Sequence, residues 1–374
     1  MNNVKTLGSL FDGIGGFPLA AVREGILPVW ASEIEAAPIS ITKRHFPNMQ
    51  HLGDITKING GDIQPVDIIT FGSPCQDLSI TGHRAGLEGE RSGLFIEAIR
   101  IIKEMRNETN RAYPARVIWE NVPGTFSSDN GRDFQTVIEE IAKVAEPGVS
   151  IPQPSEKIGW LAAGAVLGDN WSLAWRVLDA QYWGVPQKRR RIFIIADFTN
   201  GSAPEILFKC ESLSGDINKS KEAGEGITPD VETGIGEAGC TVDIGHSTDR
   251  IQINAQSAVT LRANGGGGGA KNGLYFLPVQ VPFRCRGYGD YAISETSRAL
   301  LSRDDITTSD LITSDFSVRR LTPLECERVQ GFPDGWTEYG HDGKRISDNQ
   351  RYKALGNSVA IPCVQFLLSR MKHQ

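Results

Sequence analysis

The stretch from Thr6 to Phe17, TLGSLFDGIGGF, decides the fold. Its apolar run over Thr6–Phe11 predicts a buried β-strand, and the glycines that follow predict a tight turn into a helix. Further apolar runs at 28–32, 68–71, 116–120 and 191–196 alternate with helical stretches at 16–25, 36–46, 93–108 and 133–145. This alternation predicts a doubly wound α/β domain with a parallel sheet, whose ligands bind at the carboxyl ends of the strands.

The composition is that of an ordinary globular chain. Its 374 residues are 40% hydrophobic and 22% charged, which excludes a small disulfide scaffold or a disordered tail protein. The N-terminus lacks the pattern of a signal peptide and no run is long and apolar enough to span a membrane, so we expect neither secretion nor membrane insertion. The six cysteines form no CxxC pair, and we expect reduced thiols in a cytoplasmic protein.

The net charge of −6 conceals a segregation of charge. Residues 205–249 hold ten acidic side chains against three lysines, a local net charge of −7. Residues 250–289 follow with five basic side chains and no acidic one. Because the excess acid is confined to one segment, the overall charge does not exclude a nucleic-acid partner.

The middle of the chain has a different texture. From 197 to 315 glycine, serine, threonine and asparagine dominate, which predicts a second, smaller, mostly β domain that we place at 197–339, acidic segment included. The five glycines at 265–269 indicate a flexible loop or a backbone that approaches phosphates closely. The helical pattern returns at 319–332 with Thr322 as predicted N-cap, and an apolar C-terminal helix is expected to join 340–374 to a first domain of 1–196.

Polar side chains follow several of the predicted strands. The turn at 11–17 departs from the dinucleotide pattern GxGxxG because Pro18 stands at the third glycine. Glu33 follows the second strand, where a carboxylate can accept hydrogen bonds from ribose hydroxyls, and Asp54 lies at a further strand end. Each acid alone also suits a helix cap or a turn, but together they outline a nucleoside pocket.

A cysteine, a carboxylate and several arginines are predicted at the same edge of the sheet. Cys75 follows the strand at 68–71 in a Gly-Ser-Pro-Cys-Gln loop, and Glu120 ends the strand at 116–120. The cationic segment 187–191 then leads into the last strand. A thiolate is a strong nucleophile at neutral pH when a positive or dipolar neighbour lowers its pKa. The arrangement therefore favours nucleophilic chemistry beside the nucleoside pocket.

Six motifs together resemble the DNA (cytosine-5)-methyltransferases of bacterial or phage type over nearly the whole chain. They are FDGIGGF at 11–17, GSPCQDLS at 72–79, ENVPG at 120–124, GVPQKRRRIF at 184–193, RRLTPLECERVQGFP at 319–333 and GNSVAIP at 356–362, in the family's order and approximate spacing. The resemblance implies a Rossmann-like, S-adenosylmethionine-dependent catalytic domain without a metal. It also implies a target-recognition domain that completes a cleft for double-stranded DNA, in a protein that we expect to be monomeric.

The resemblance also implies roles for individual residues. Cys75 attacks C6 of a flipped-out cytosine, so that C5 becomes an enamine carbon that accepts a methyl group. Glu120 holds N3 and the exocyclic amine, while Arg189 and Arg191 support the Cys75 loop, the base and a nearby phosphate. Strand alternation points Arg190 the other way.

Further residues are expected to bind the cofactor or the DNA. The cofactor positions are Phe11, Asp12, Gly13, Ile14, Gly15, Gly16, Glu33, Ile34, Asp54, Ile55, Gly72, Leu94, Asn357 and Ser358. At Ile34 the family often has an aromatic residue against adenine. The expected DNA contacts are Gln76, Arg262, Lys271, Arg284 and Arg286. We hypothesise that 187–191 and 250–289 line the DNA cleft and that the acidic segment 205–249 faces away from it.

Three alternatives stay open at this point. A tRNA-directed branch of the same family carries a Cys-Phe-Thr segment, whereas the related stretch here is FRCRGYG at 283–289. A catalytically inactive DNA-binding relative could dispense with Cys75 and Glu120, yet both are present. An NAD-dependent oxidoreductase is disfavoured by Pro18 and by the Pro-Cys-Gln loop. The target DNA sequence follows from no rule that applies to an irregular domain.

Overall fold

The computed structural model describes residues 4–74, 93–155, 157–208 and 321–372 in full, and between 240 and 320 the backbone of seven strands. The strands of these parts are β1 (Thr6–Leu10), β2 (Leu27–Ser32), β3 (Gln50–His51), β4 (Ile68–Phe71), β5 (Arg116–Asn121), β6 (Ala163–Leu167), β7 (Ser172–Asp179), β8 (Gln187–Lys188), β9 (Arg190–Asp197), β10 (Cys240–Gly245), β11 (Arg250–Ala255), β12 (Pro282–Cys285), β13 (Tyr291–Ile293), β14 (Ser297–Arg298), β15 (Leu311–Ser314) and β16 (Ser317–Arg320). The α-helices are α1 (Gly16–Arg23), α2 (Ala36–His45), α3 (Gly93–Glu108), α4 (Arg132–Ala142), α5 (Ala203–Phe208), α6 (Pro323–Gln330), α7 (Asp348–Asn357) and α8 (Ile361–Met371).

Eight strands form the central sheet in the order β3-β2-β1-β4-β5-β9-β7-β6. The first five pair in parallel, whereas β9, β7 and β6 continue the sheet antiparallel. The predicted doubly wound α/β domain is confirmed, but the sheet is mixed rather than all parallel. The segment 180–189 between β7 and β9 is too short for a crossover helix, so these strands run in opposite directions.

Strands β6 and β7 were not predicted from the sequence. They form an antiparallel pair around a turn at 168–171, where the Gly168 amide donates to the Trp171 carbonyl over 2.9 Å. The Gly-Asp-Asn sequence of this turn, between two apolar runs, was the available signal. The alternate residues of β6 are exposed, because it is the edge strand of the sheet.

Helices cover both faces of the sheet and create two hydrophobic cores. Successive strand residues point to opposite faces, so Val117 belongs to the first core and Ile118 to the second. Helix α3 buries Phe95 and Ile99 at helical spacing against β5 in the first core. The second core contains α1, α5, α6 and α8.

The C-terminal helices share a hydrophobic core with α1. Helix α6 begins at the predicted cap, where the Thr322 hydroxyl and the Glu325 carboxylate form a reciprocal capping box. Residues 203–208 and 321–336, which the sequence analysis assigned to the second domain, contribute side chains such as Ile206 and Val329 to the core shared with α1. These buried apolar side chains share a core with α1, which favours assigning both segments to the first domain.

The described part of 240–320 consists of β-strands, in agreement with the predicted second region. Strands β10 and β11 form an antiparallel pair, and β13, β12, β15 and β16 form a four-stranded sheet. Strand β14 pairs in parallel with β8, so that Ser297 faces Gln187 and Arg298 faces Lys188. This pairing joins the second region to the cationic segment. Among the described helices, none is long and apolar enough to cross a membrane.

Candidate active site

The glycine turn after β1 forms a tight cradle at the carboxyl edge of the sheet. Phe11, Gly13 and Gly15 all have left-handed backbone angles, with φ of 54°, 58° and 81°. A Cβ atom on Gly16 would lie 2.7 Å from the Val359 side chain and 3.0 Å from the Ser358 hydroxyl. The C-terminal segment thus approaches the turn so closely that only glycine fits. A Cβ on Gly13 would meet no atom within 4 Å, so this position faces open space.

Glu33 fastens the end of β2 to the glycine turn. Its Oε2 accepts a hydrogen bond from the Gly13 amide at 2.9 Å, and its Oε1 accepts from the amides of Ile34 and Glu35. Oε1 uses both lone pairs on these two amides, but Oε2 keeps one, so Glu33 retains the capacity to accept from one hydroxyl donor. The adjacent Ile34 side chain is 72% exposed and offers an apolar surface beside it.

Asp54 caps the short 3-10 helix at 55–57. Its Oδ1 accepts from the backbone amide and the hydroxyl of Thr56, and these bonds lower the pKa of the Asp54 carboxyl. Ile55 is buried in the core, so only its backbone can contact a ligand, whereas Leu94 packs on the same core while partly exposed.

The loop that leads to Cys75 is held by the end of β5. Asn121 donates through Nδ2 to the Ser73 carbonyl over 3.0 Å, and Trp119 donates through Nε1 to the Ser73 hydroxyl over 3.2 Å. Cys75 and Gln76 themselves lie outside the described residues. Sequence reasoning missed Asn121, although its amide within the ENVPG motif was the available signal.

Glu120 lies beside the same loop. A Cβ on Gly72 would lie 3.4 Å from Oε2 of Glu120, so this carboxylate stands over the backbone that precedes Cys75. Its other oxygen, Oε1, lies 3.1 Å from Nε of Arg191, and both side chains are largely buried. The Glu120 carboxylate thus lies beside Gly72, at the described end of this loop, and Arg191 lies next to the carboxylate.

Arg189 binds the C-terminal segment, and its predicted contact with the Cys75 loop falls on residues outside the described ones. It is 3% exposed and donates through one terminal nitrogen to the carbonyls of Gly356 and Ser358, at 3.3 Å and 2.6 Å. A side chain so buried does not reach a phosphate in this conformation. Arg190 is exposed on the opposite face, as strand alternation predicts.

The residues of the GNSVAIP motif complete the site from the other end of the chain. Asn357 ends α7 and Ser358 follows it, where the Ser358 carbonyl accepts from Arg189 and its hydroxyl lies against Gly16. The cradle and the catalytic edge are thus joined through one short segment. Cys363, nearby, is an unpredicted neighbour of Glu120, but burial raises the pKa of its thiol, which disfavours the thiolate.

Asp12 is the most unusual group of the site. It is 5% exposed, and neither carboxylate oxygen makes a hydrogen bond to a described residue. Burial raises the pKa of Asp12 to about 8, the nearby Glu33 carboxylate adds to the increase, and the Ser9 hydroxyl opposes it. Asp12 therefore holds a proton at neutral pH in the free protein. In the described parts of the chain, no three side chains of the metal-binding types come together.

The side chains expected to contact DNA lie outside the described parts of the structure. Arg262, Lys271 and Arg286 lie outside the described residues, and for Arg284 only the backbone, in β12, is described. The acidic stretch 209–239 also lies outside them. Exposed cations are nevertheless present at the catalytic edge, because Lys188 and Arg190 both face solvent without an ion pair among the described residues.

A comparison with known families excludes one of the open alternatives. The sequence model described as C-5 cytosine-specific DNA methylase matches residues 6–145 and 165–373. The chain belongs to this family. Membership confirms the resemblance drawn from the six motifs and excludes the NAD-dependent oxidoreductase.

Three relatives place the chain within the family. A protein of Escherichia phage P1 named DNA N-6-adenine-methyltransferase is 28% identical over 97% of this chain and 60% of its own length. The Type II methyltransferase M.HhaI of Haemophilus parahaemolyticus is 27% identical over 96% of this chain and 91% of its own. The crystal structure of S. pombe Dnmt2 methyltransferase covers 98% of this chain and 97% of its own, with a TM-score of 0.60 at 17% identity, which indicates a shared fold.

The protonated Asp12 makes a prediction about stability. Between the pKa of about 4 in the unfolded chain and about 8 in the folded protein, the folded state keeps a proton that the unfolded state releases. Asp12 therefore lowers the free energy of unfolding progressively as the pH rises through this window. Asp12→Asn should remove the effect, so that its advantage over the wild type in urea unfolding grows from pH 5 to pH 8 by up to about 1.4 kcal/mol per pH unit.

Asp54→Asn is the matched control for this experiment. Because the pKa of Asp54 is lowered, its carboxyl is ionised in both folded and unfolded states above pH 5. The difference between Asp54→Asn and the wild type should then be constant from pH 5 to pH 8. A constant difference for Asp12→Asn as well would contradict the assignment of a buried proton to Asp12.

Proposed function

We propose that this protein transfers a methyl group from S-adenosylmethionine to C5 of a cytosine flipped out of double-stranded DNA. Cys75 is the proposed nucleophile, and the product cofactor is S-adenosylhomocysteine. The observation that carries the proposal is the Glu120–Arg191 ion pair, 3.1 Å long, which stands over the backbone leading to Cys75. Family membership supports the reaction class.

Glu120 is suited to activate the cytosine ring. Arg191 pairs with Oε1 by charge, and Oε2, on the side of Gly72, is proposed to accept from the exocyclic amine and to hold a proton at N3. When the Cys75 thiolate bonds to C6, the π electrons of the C5–C6 bond shift through C5 and C4 toward N3. A proton at N3 stabilises the negative charge that develops there. C5 then carries the electron density that attacks a methyl group.

The covalent bond must be undone after methyl transfer. The C5 proton leaves, its bonding electrons re-form the C5–C6 double bond, and the thiolate departs from C6. The motifs contain no obvious dedicated base, so we propose water as the proton acceptor. Asn121 acts here as a positioning residue, because it holds the Ser73 carbonyl two residues before Cys75.

The glycine cradle fits S-adenosylmethionine. Bound there, the cofactor supplies an electrophilic methyl group on a sulfonium. Glu33 and Asp54 have the oxygens for ribose and adenine donors, and Ile34 provides an exposed aliphatic face for the adenine. Gly13 leaves open space for the ligand, and Asn357 and Ser358 close the pocket from the C-terminus. The remaining proposed cofactor contacts are Phe11, Asp12, Ile14, Gly15, Gly16, Ile55, Gly72 and Leu94.

DNA is proposed to lie along the exposed cations of the catalytic edge. Lys188 and Arg190 point outward, whereas Arg189 and Arg191 point into the protein. Strand β14 pairs beside Lys188, so this face continues toward the second region. Gln76, Arg262, Lys271, Arg284 and Arg286 remain proposed contacts. We also propose that 209–320 contains the target-recognition domain and that the protein acts as a cytoplasmic monomer.

Two names among the relatives suggest other substrates. The phage P1 protein is named for adenine N6, but this chain spans only 60% of its length, so the printed activity does not transfer. The Dnmt2 structure is 17% identical to this chain, and similarity at this level indicates a shared fold but not a shared substrate. The motif around Cys75 favours cytosine, because methylation of an exocyclic amine requires no thiolate addition to a ring carbon.

A trapping experiment tests the proposed reaction. Duplex DNA with 5-fluorocytosine in place of cytosine cannot lose the C5 substituent as a proton, so the protein should remain covalently attached only when S-adenosylmethionine is present. Cys75→Ala should form no adduct, whereas Cys326→Ala, which alters a buried thiol of α6, should form it normally. Absence of an adduct in the wild type would sink the covalent mechanism.

The nature of the product is read from the same preparations. Nucleosides digested from methylated DNA and from tRNA should contain 5-methylcytosine in the DNA only, as measured by mass spectrometry. N6-methyladenine in the DNA would favour the activity named for the phage relative. 5-Methylcytosine in the tRNA would favour the tRNA-directed branch. Bisulfite sequencing of DNA from expressing cells then returns the recognition sequence.

The role of Glu120 predicts a loss of rate without a loss of cofactor binding. Glu120→Gln removes the charge that stabilises a proton at N3, so single-turnover methylation should slow by roughly 10²-fold or more. Affinity for S-adenosylmethionine, measured by calorimetry, should change by less than about twofold because Glu120 lies outside the glycine cradle. A methylation rate within twofold of the wild type would remove Glu120 from the mechanism.

The outward cations make a separate prediction about DNA affinity. Lys188→Gln and Arg190→Gln should each weaken duplex binding irrespective of sequence and reduce the slope of log K against log salt by about 0.9. Fluorescence anisotropy at several salt concentrations measures both quantities. Arg111→Gln is the control, because Arg111 is exposed at the opposite edge of the sheet, before β5. An unchanged slope in both variants would show that DNA binds elsewhere.

A further inference from the structure

Residues 146–164, here called the brace, lie outside the part of the chain that matches the family model. The match stops at residue 145 and resumes at residue 165. The brace follows α4 and includes the first residues of β6, the edge strand of the central sheet. Family membership therefore implies no role for the brace.

The brace runs back along helix α4. The Ile151 amide donates to Oε1 of Glu139 over 2.8 Å, and the Ile151 carbonyl accepts from Nε2 of Gln135, also over 2.8 Å. The Trp160 indole then donates through Nε1 to the Gly131 carbonyl over 2.8 Å. These three contact positions of α4 and its N-cap are each four residues apart, so they follow one face of the helix toward its beginning. The brace therefore brings Trp160 to the N-cap of α4.

Trp160 belongs to an aromatic cluster that reaches the catalytic edge. Its ring lies edge-on to Phe134 of α4, with ring centroids 5.1 Å apart, and Phe134 lies edge-on to Phe126 at 4.7 Å. Phe126 ends the 3-10 helix at 123–126, which follows the strand of Glu120. Edge-to-face pairs of this kind stabilise a core beyond the burial of their area. Two aromatic contacts therefore link Trp160 to the segment that leaves β5.

The turn between Phe126 and α4 has a strained backbone that Trp160 supports. Asp129, Asn130 and Gly131 have consecutive left-handed φ angles of 44°, 54° and 84°. Residues with a side chain adopt this conformation at a cost and keep it only where their surroundings impose it. A Cβ on Gly131 would lie 3.0 Å from the Trp160 ring and 3.3 Å from the Phe126 carbonyl. Trp160 therefore packs directly on the strained turn and also binds one of its carbonyls.

The short connection from Phe126 back to Glu120 is held by internal hydrogen bonds. Thr125 donates through its amide and its hydroxyl to the Val122 carbonyl, over 3.2 Å and 2.9 Å. The Val122 amide donates to Oδ1 of Asn121 over 2.8 Å. Because these bonds stiffen the connection, a shift of Phe126 is transmitted toward Glu120 instead of being absorbed by a slack loop.

We propose that Trp160 is a positioning residue for the reaction. It holds the segment 122–131, and through this segment it keeps Glu120 in place over the backbone that leads to Cys75. The proposal rests on the proposed function in that Glu120 acts on the cytosine. The brace is then an addition to the family fold that supports the catalytic carboxylate from behind.

Single-turnover methylation of duplex DNA measures the effect on the reaction. Trp160→Phe keeps a ring against Phe134 but removes the donor to Gly131, so the rate should fall by about fivefold, as expected for one hydrogen bond. Trp160→Leu also removes the ring, and the rate should fall by at least about tenfold. The affinity for S-adenosylmethionine should change by less than about twofold, because Trp160 contacts α4 and its N-cap rather than the glycine cradle. An unchanged rate for Trp160→Leu would overturn the proposal.

Trp171→Phe is the matched control. Trp171 packs in the same core, and its indole donates to Oε2 of Glu146 over 3.0 Å, at the other end of the brace from Trp160. The variant loses the same kind of hydrogen bond, and its methylation rate should equal that of the wild type. A loss as large as that of Trp160→Phe would assign the effect to a general weakening of the core and contradict the positioning role.

A double-mutant cycle shows whether Trp160 acts through Glu120. In a protein that already carries Glu120→Gln, the further change Trp160→Leu should slow methylation by less than about twofold, because the carboxylate that Trp160 positions is gone. A merely structural role would give the same fold loss in both backgrounds. Equal losses would therefore overturn the assignment.

Amide hydrogen exchange tests the brace without any methylation assay. In Trp160→Leu the amides of 122–131 should exchange faster by at least about tenfold, whereas those of β7 should exchange as in the wild type. Unchanged exchange over 122–131 would overturn the role of Trp160 even in a protein that methylates DNA. Faster exchange in a protein whose wild type methylates no DNA would instead reject the proposed function, and the part of Trp160 in the reaction with it.

Discussion

A buried guanidinium joins the segment before β9 to the C-terminal segment at the candidate active site. Arg189 precedes β9, yet it donates to the carbonyls of Gly356 and Ser358, which lie close to the C-terminus. A buried charge is costly unless hydrogen bonds satisfy it, so these contacts strongly constrain both segments. The side chains of Ser358 and Val359 pack so closely against Gly16 that a Cβ atom would not fit there. This link and the hydrogen bond from Trp336 to the Ile14 carbonyl therefore help to fix the C-terminal segment between the glycine cradle and the catalytic edge.

Three carboxylates of the site differ because their surroundings differ. Glu120 faces the Arg191 guanidinium, whereas Glu33 accepts backbone amides at both oxygens. Asp12 has neither kind of partner among the described residues and keeps a proton at neutral pH. The same functional group is thus an ion-pair partner, an acceptor for backbone amides and a buried acid with a raised pKa, according to its surroundings.

The sequence allowed much of the fold to be predicted where a local pattern carries it. The strand, turn and helix at the N-terminus follow from apolar runs and glycines, and the cap at Thr322 follows from its spacing to Glu325. The antiparallel edge was not predicted, because strand direction depends on the route of the chain between strands. The domain boundaries shifted because Ile206 and Val329 show only in three dimensions which core they join.

For the site, the sequence by itself determined the residue types and the family, because six motifs in order identify the chemistry without coordinates. It also determined that Arg189 and Arg190 face opposite ways, since a strand alternates. Only the tertiary structure decided that Arg189 faces the Ser358 carbonyl, that Asn121 holds the Ser73 carbonyl and that the Asp12 side chain is buried. These properties depend on contacts between distant segments and on exclusion of water, and no spacing along the chain encodes either.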